Sequence, residues 1–336
     1  MKILFNKYKY YIGAVVSLAL LYFAVKDIDL EKFLYYFNFE NLDILFYVFF
    51  INIILRLIIT LRWNKLLDIF PGNNFVTTFH YTNIGYFANN VLPARLGDII
   101  KSYLLAKKKG YNTIQVVTSA VVERVFDLIG LSLVFIIAVF RYDIPENILK
   151  GGAYFIGILI IFSIMVLLML RKKDYINFRL ERISKYKIIN VIRNKIESIF
   201  LYLQNYQNLK DLTYLIITTA LIWFFYVFAG YIIIERLGGY LSWDASILSL
   251  ILLGISFILP STPGNIGVHQ FACVVAFDIL GMDKTLAVAF SFYYQIPVIL
   301  LSILFGLFSI YYEGFSFKGI RRASQEAKSE SLNEVS

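Results

Sequence analysis

One cysteine, two histidines and few charges bound this 336-residue chain before any motif is read. The lone Cys273 excludes an internal disulfide framework and a cysteine-based zinc site, and reads as a small apolar filler. His80 and His269 have no third ligand type clustered near them, so no metal site is expected. Charged residues make up 16% of the chain, where a soluble domain carries about a quarter. A Gly-rich phosphate loop, metal-ligand His/Asp spacing and a nucleophile elbow are all missing. The chain is therefore expected to be no enzyme and to need no cofactor.

What is present is apolar surface. Hydrophobic residues make up 59% of the chain and the mean hydropathy is +0.68. The apolar residues fall in long runs, roughly 8–26, 42–62, 75–108, 115–140, 152–171, 211–236, 245–281 and 284–312. About 20 apolar residues in a helix cross the hydrocarbon of a bilayer. Lipid cannot satisfy a backbone amide, so spans are helices or closed barrels. Unbroken runs without period-two alternation predict helices, and the fold class is an all-α, polytopic integral membrane bundle. The net charge of +9 does not imply nucleic acid, because the basic residues flank apolar runs instead of lining one face. The first run follows Lys2, Lys7 and Lys9 without a small-residue cleavage pattern, so it reads as a retained span.

Charge bookkeeping orients the runs. Residues 171–210 carry ten Lys/Arg against three acids, which places that stretch in the cytoplasm. The loop 27–43 carries Asp27, Asp29, Glu31, Glu40 and Asp43 against Lys32 and belongs outside. The second span returns near Arg62 and Lys65, so 75–108 starts inside, yet Lys107, Lys108 and Lys109 hold its far end inside as well. A re-entrant hairpin turning at Pro93–Gly97 satisfies both ends. Segment 245–281 becomes a second hairpin, entering from the outer face, and six full spans leave both termini inside. This gives a single transmembrane domain over 1–317, with a polar, disordered tail over 318–336. Within it, residues 176–203 read as a basic amphipathic helix, either an elbow between two halves or a headgroup-layer element.

The two interruptions match. Leu92-Pro93-Ala94-Arg95-Leu96-Gly97-Asp98-Ile99 and Leu259-Pro260-Ser261-Thr262-Pro263-Gly264-Asn265-Ile266 both read L-P-x-x-x-G-[D/N]-I. Units 75–140 and 245–312 are thus expected to form an inverted repeat, a recurrent construction in transporters. Proline removes an amide donor and glycine opens turns closed to other residues, so each helix breaks at its tip. The amino end of the helix restarting after Gly97 or Gly264 then faces inward and suits an anion.

Ionisable residues at bilayer depth are costly and are usually paired or functional. Arg95 and Asp98 flank the first tip, with Lys101 one turn further. Glu123, Arg124 and Asp127 sit about two turns into 115–140, where Arg124 and Asp127 can pair at i, i+3. This trio fits a structural ion-pair network and a ligand role equally. Arg95 matches a phosphate through its guanidinium fork. Arg56, inside the second span, is expected to neutralise an acid of a neighbouring span. His269 and Gln270 follow the second tip, His269 as a hydrogen-bonding or proton-sensitive group.

These motifs, in this order, resemble the lysylphosphatidylglycerol synthase transmembrane-region family: Leu92-Pro93-Ala94-Arg95-Leu96-Gly97-Asp98 with Lys101, then Glu123-Arg124-Val125-Phe126-Asp127, then Pro260 with Pro263-Gly264-Asn265-Ile266-Gly267-Val268. The resemblance covers roughly 10–312 and implies a lipid-translocating membrane domain with two re-entrant elements. The family more often has Glu where this chain has Asp98, Arg where it has Lys101, and Gly and Glu where it has Asn265 and Gln270. The second tip thus lacks the family's carboxylate. With the chain ending at Ser336, no aminoacyl-transfer domain follows and no lysyl-lipid synthesis is expected. The expected partners are membrane lipids, with an anionic headgroup as substrate held by Arg95, Gly97, Asp98, Lys101, Glu123, Arg124, Asp127, Pro260, Gly264, Asn265, His269 and Gln270. A second copy of the chain or an envelope-synthesis protein is the other admissible partner. The alternative function is a non-transporting accessory or scaffold protein of envelope glycolipid synthesis.

Overall fold

A computed structural model describes residues 2–92, 96–141, 150, 157, 197–199, 201–206, 208–256, 262–316 and 319. Pro93, Ala94, Arg95, Pro260, the 152–171 span, most of the basic 171–210 stretch and nearly all of the tail lie outside the described residues. Every regular element among the described residues is helical. The main helices are α1 (Lys2–Val25), α2 (Leu30–Tyr36), α3 (Asp43–Leu66), α4 (Phe75–Val91), α5 (Gly97–Lys109), α6 (Thr113–Arg141), α7 (Leu209–Arg236), α8 (Ser242–Ser256), α9 (Val268–Ile279) and α10 (Lys284–Tyr312).

Among the described residues, three stretches are long and apolar enough to cross a membrane: Phe39–Leu66, Leu209–Arg236 and Lys284–Tyr312. At about 1.5 Å per residue, the 24 residues of α3 reach about 36 Å, which exceeds the ~30 Å of hydrocarbon. Helix α6 has 29 residues but carries Glu123, Arg124 and Asp127 part-way along. Large apolar side chains such as Phe46, Phe50, Ile137, Phe140, Leu304 and Phe308 stay exposed along these helices, as a lipid-facing surface requires.

Helices α3 and α10 run through the middle of the bundle. The amino-terminal half of α3 (Ile44, Val48, Ile51, Leu55, Ile59) packs in one apolar core with α2, α6, α7, α8, α9 and α10. Its last turns (Trp63, Leu66, Leu67) pack in a second core with α4 and α5.

The acidic stretch 27–43, expected to be a loop, is largely helical. Asp29 Oδ1 accepts from the Lys32 amide at 3.0 Å and caps α2, while Asn38 Oδ1 accepts from the Asn41 amide and caps a short 3-10 turn. Phe37 stacks on Tyr293 at 4.6 Å between ring centroids, and this aromatic packing anchors the segment on α10. Charge counting could not see it, because the residues that fold the segment are its aromatics and caps.

Both Pro/Gly elements do end helices. At the first, α4 stops at Val91 and α5 starts at Gly97. The two helices fold back on each other: a Cβ on Gly97 would lie 2.0 Å from the Gly85 carbonyl oxygen. Only two glycines allow this approach. At the second element the helix does not restart after Gly264 as expected but at Val268. Gly264, Asn265 and Gly267 have φ of 73°, 58° and 89°, which a right-handed helix cannot incorporate. A tight turn over Pro263–Asn265, closed by the Asn265 amide on the Thr262 carbonyl, fills the gap. The end of α4 packs against that turn, with Asn90 Oδ1 among the nearest atoms to Gly264. The helix that leads into the first element therefore packs against the turn of the second.

Candidate functional site

Three helices bring six charges into a closed ring. Helix α5 presents Asp98 and Lys101 one turn apart. Helix α6 presents Glu123 and Asp127 at i, i+4, with Arg124 beside them. Helix α3 contributes Arg62. Around the ring, Lys101 Nζ lies 2.6 Å from Glu123 Oε2, and Glu123 Oε1 lies 3.7 Å from Arg62 Nη2. Arg62 Nη2 is 2.5 Å from Asp127 Oδ1, and Asp127 Oδ2 is 2.8 Å from Arg124 Nη1. Arg124 Nη2 then reaches Asp98 Oδ2 at 2.6 Å, and Asp98 Oδ1 lies 3.7 Å from Lys101 Nζ. Cations and carboxylates alternate at every step, so three of each leave the ring neutral.

The ring has a dry edge and an open edge. The side chains of Arg62, Lys101 and Glu123 are between 1% and 3% exposed. That of Arg124 is 50% exposed, with Asp98 and Asp127 at about a quarter. Arg124 thus carries the largest accessible surface in the ring. Neutral groups hold the dry edge. Arg62 Nη1 donates to Thr219 Oγ1 at 3.1 Å, and Lys101 Nζ rests 4.0 Å above the Trp63 ring, a favourable place for a cation. Trp63 is itself fixed by an Nε1–H bond to Ser119 Oγ at 2.9 Å.

Asp98 and Lys101 owe their position to the start of α5. The Gly97 amide donates to Asn89 Oδ1 at 2.7 Å, so a side chain of α4 caps α5. Asp98 lies in the first turn, where the helix dipole favours an acid. The Gly97 amide, predicted to assist an anion, thus already has an acceptor.

Of the predicted residues, Asp98, Lys101, Glu123, Arg124 and Asp127 come together, and the Arg124–Asp127 pair forms at the expected spacing. Arg95 and Pro260 lie outside the described residues. The second tip is a separate, neutral network. Gln270 Oε1 accepts from the Gly267 amide at 2.7 Å, Gln270 Nε2 donates to Gln295 Oε1 at 2.7 Å, and Gln295 Nε2 donates to the Gly264 carbonyl at 2.5 Å. The Asn265 amide closes the turn onto the Thr262 carbonyl at 3.0 Å. His269 is buried with its Nε2 unbonded, and its ring lies 5.8 Å from that of Tyr294.

Two corrections follow. Arg62, expected to be a flanking cation at the end of a span, is a buried member of the ring. Arg56, expected to neutralise an acid, has none within 4 Å among the described residues. Its Nη1 donates to Asn83 Oδ1 at 3.0 Å and its Nη2 to Ser302 Oγ at 3.2 Å. The asparagine and serine offer fixed lone pairs, so α4 and α10 orient the guanidinium without neutralising it.

The match to the family described as the lysylphosphatidylglycerol synthase TM region runs over residues 10–306, most of the chain. The chain belongs to that family. It is also similar to the UPF0104 membrane protein MJ1078 of Methanocaldococcus jannaschii, with 30% identity over 234 residues, which is 67% of this chain and 93% of that protein. No solved structure gives a significant match. All six ring residues and both Pro/Gly elements fall inside the family match, and the chain is a multi-pass membrane protein of this family.

Proposed function

We propose that the protein is a lipid translocator. It moves an anionic phospholipid or a polyprenyl-phosphate-linked glycolipid across the cytoplasmic membrane, through a polar cavity at the midplane. The observation that carries this reading is the charge ring with its open edge. A neutral ring lowers the cost of placing six ionisable groups at bilayer depth. Its open edge can exchange partners: a lipid phosphate replaces Asp98 or Asp127 on the Arg124 fork, and the displaced carboxylate takes it back on release. Arg95, two residues ahead of α5 in the sequence, is a further cation suited to the phosphate. Helices α4 and α5, and α8 and α9, are read as re-entrant hairpins entering from opposite faces, the halves of an inverted repeat. No nucleotide-binding loop accompanies them, so movement is passive or ion-coupled.

The direct test is a fluorescent anionic lipid in proteoliposomes. Arg124→Ala is expected to slow translocation at least about tenfold, the scale of one lost charge-assisted bond pair. Equal rates for variant and wild type remove the ring from the mechanism. The topology has its own check. Single cysteines at Lys108 and Asn190 are expected to react with an impermeant thiol reagent only from the cytoplasmic side. Labelling of position 190 from outside would mean that the first hairpin crosses fully.

One observation favours a second reading. The ring is balanced without any ligand, as a purely structural lock would be. An accessory protein of envelope glycolipid synthesis with such a lock gives no translocation in pure vesicles, and its Arg124→Ala variant loses folded yield.

A further inference from the structure

The ring accounts for Arg62 and Lys101, the other deeply buried cations of the bundle interior, and leaves Arg56 over. Arg56 lies 13 residues from the start of α3 and 10 from its end, at about the middle of a span. It is 3% exposed. Among the described residues, the titratable groups in electrostatic range are two tyrosines, Tyr86 and Tyr226, and no carboxylate. Burying a charge without a counter-charge costs several kcal/mol. The surroundings orient this one instead of neutralising it. Asn83 spends its amide on the Phe79 carbonyl and turns its oxygen to Arg56, and Ser302 gives its hydroxyl proton to the Val298 carbonyl and keeps a lone pair for Arg56. The Tyr86 ring covers one face of the guanidinium at 3.5 Å. Two of the five N–H donors are thereby committed to neutral acceptors.

The same two tyrosines connect Arg56 to the ring. Tyr86 lies within electrostatic reach of Arg56, Arg124 and Glu123, and Tyr226 of Arg56, Arg124 and Asp127. Both keep part of their surface accessible. On the other side, Asn90 Nδ2 donates to the Tyr86 carbonyl at 2.9 Å, and Asn90 Oδ1 faces Gly264 of the second tip. Arg56 therefore stands between the Arg124 edge of the ring and the contact of α4 with the Gly264 turn.

We propose that Arg56 is a second oxyanion-binding station, whose missing counter-charge is supplied by the phosphodiester of an anionic lipid, with one hydroxyl of the hydrogen-bonded Tyr86–Tyr226 pair as a neutral donor beside it. The proposal rests on the lipid-binding reading above, but its test reads binding and not movement. Full-length protein in detergent is unfolded thermally with short-chain phosphatidylglycerol, with phosphatidylcholine or with inorganic phosphate. Phosphatidylglycerol is expected to raise the wild-type Tm more than phosphatidylcholine, whose own ammonium competes for the phosphate.

Arg56→Met exchanges a buried charge for an apolar chain of similar length, a change that is often neutral or stabilising. Its Tm without lipid is expected to match or exceed that of wild type, while its apparent affinity for phosphatidylglycerol falls at least about tenfold. Wild-type affinity in Arg56→Met overturns the proposal. An equal Tm rise with inorganic phosphate, lost in Arg56→Met, keeps the oxyanion site and assigns it to a free anion. Should Arg56→Met fail to fold, Arg56→Lys decides. It keeps the charge but not the fork, so weaker binding supports the site and unchanged binding overturns it. A wild type that binds lipid through Arg56 yet moves none in vesicles removes the translocator reading and leaves the site standing.

Discussion

Glu123→Gln is expected to destabilise the protein by about 3–5 kcal/mol, the scale of a buried ion pair broken on one side. The substitution keeps shape and volume, so packing is not the cause. Glu123 serves two buried cations at once, Lys101 at 2.6 Å and Arg62 at 3.7 Å. Arg62 retains Asp127 at 2.5 Å. Among the described residues, Lys101 retains Asp98, at 3.7 Å, and the Trp63 ring. An amide oxygen can accept the Lys101 proton but cannot balance its charge. The measurement is thermal or denaturant unfolding in detergent, with Lys101→Met/Glu123→Leu as the partner variant. Removing both charges together removes the unpaired cation, so the double variant is expected to recover most of the loss. A Glu123→Gln loss below about 1 kcal/mol would mean that water reaches this edge of the ring, as it does a surface pair.

Much of the bundle was legible in the sequence because hydrophobic runs report spans directly. The three apolar spans, the helix break before Gly97 and the i, i+3 pairing of Arg124 with Asp127 all follow from local rules. The ring as a closed object does not. Its Asp98–Arg124 and Arg62–Asp127 links join residues 26 and 65 positions apart, and only the packing of α3, α5 and α6 brings them together. Arg62 carried a misleading signal. A cation at the end of an apolar run normally marks the membrane surface, and nothing one-dimensional separates it from one that turns inward to Glu123 and Asp127. Arg56 was legible as an intramembrane charge but not as an unpaired one, because its neutral partners come from α4 and α10. The second tip resembled the first in sequence and differs in backbone. Consecutive positive φ values at Gly264 and Asn265, and another at Gly267, delay the helix and commit Gln270 to the Gly267 amide. An octapeptide pattern that records Pro and Gly positions does not record φ.

The asymmetry between the tips gives the translocation reading its working form. Charge is concentrated on the α5–α6 side, the second tip is closed by glutamine amides, and Arg56 lies between them. A phosphate leaving the open edge therefore meets decreasing competition from carboxylates: two neighbours at Arg124, none at Arg56 among the described residues. On the proposed translocation reading, release toward the second tip would need no acid there, where Gln270 stands in place of the Glu more common in the family.

The second large effect is expected at Gly97, through space and not through conformation. Gly97 is an ordinary helical residue of α5, so alanine suits its backbone. Its new methyl would lie 2.0 Å from the Gly85 carbonyl oxygen and 2.6 Å from Cγ of Asn89. The first obstacle is backbone of α4, which cannot rotate away, so α4 and α5 must part. Parting them strains the Asn89 cap on the Gly97 amide and shifts Lys101, one turn on, away from Glu123. Overpacking of about 1–3 kcal/mol and a hydrogen bond of about 1 kcal/mol together put Gly97→Ala at about 2–4 kcal/mol. Gly110→Ala is the control. That glycine ends α5 with φ of 70° and nothing within 4 Å, so alanine there costs only the left-handed backbone, about 1 kcal/mol. Unfolding in detergent is expected to rank the two clearly, and lipid translocation to survive Gly110→Ala but not Gly97→Ala. A Gly97→Ala protein with wild-type Tm and wild-type transport would mean that the close helix crossing neither holds the bundle together nor sets the ring.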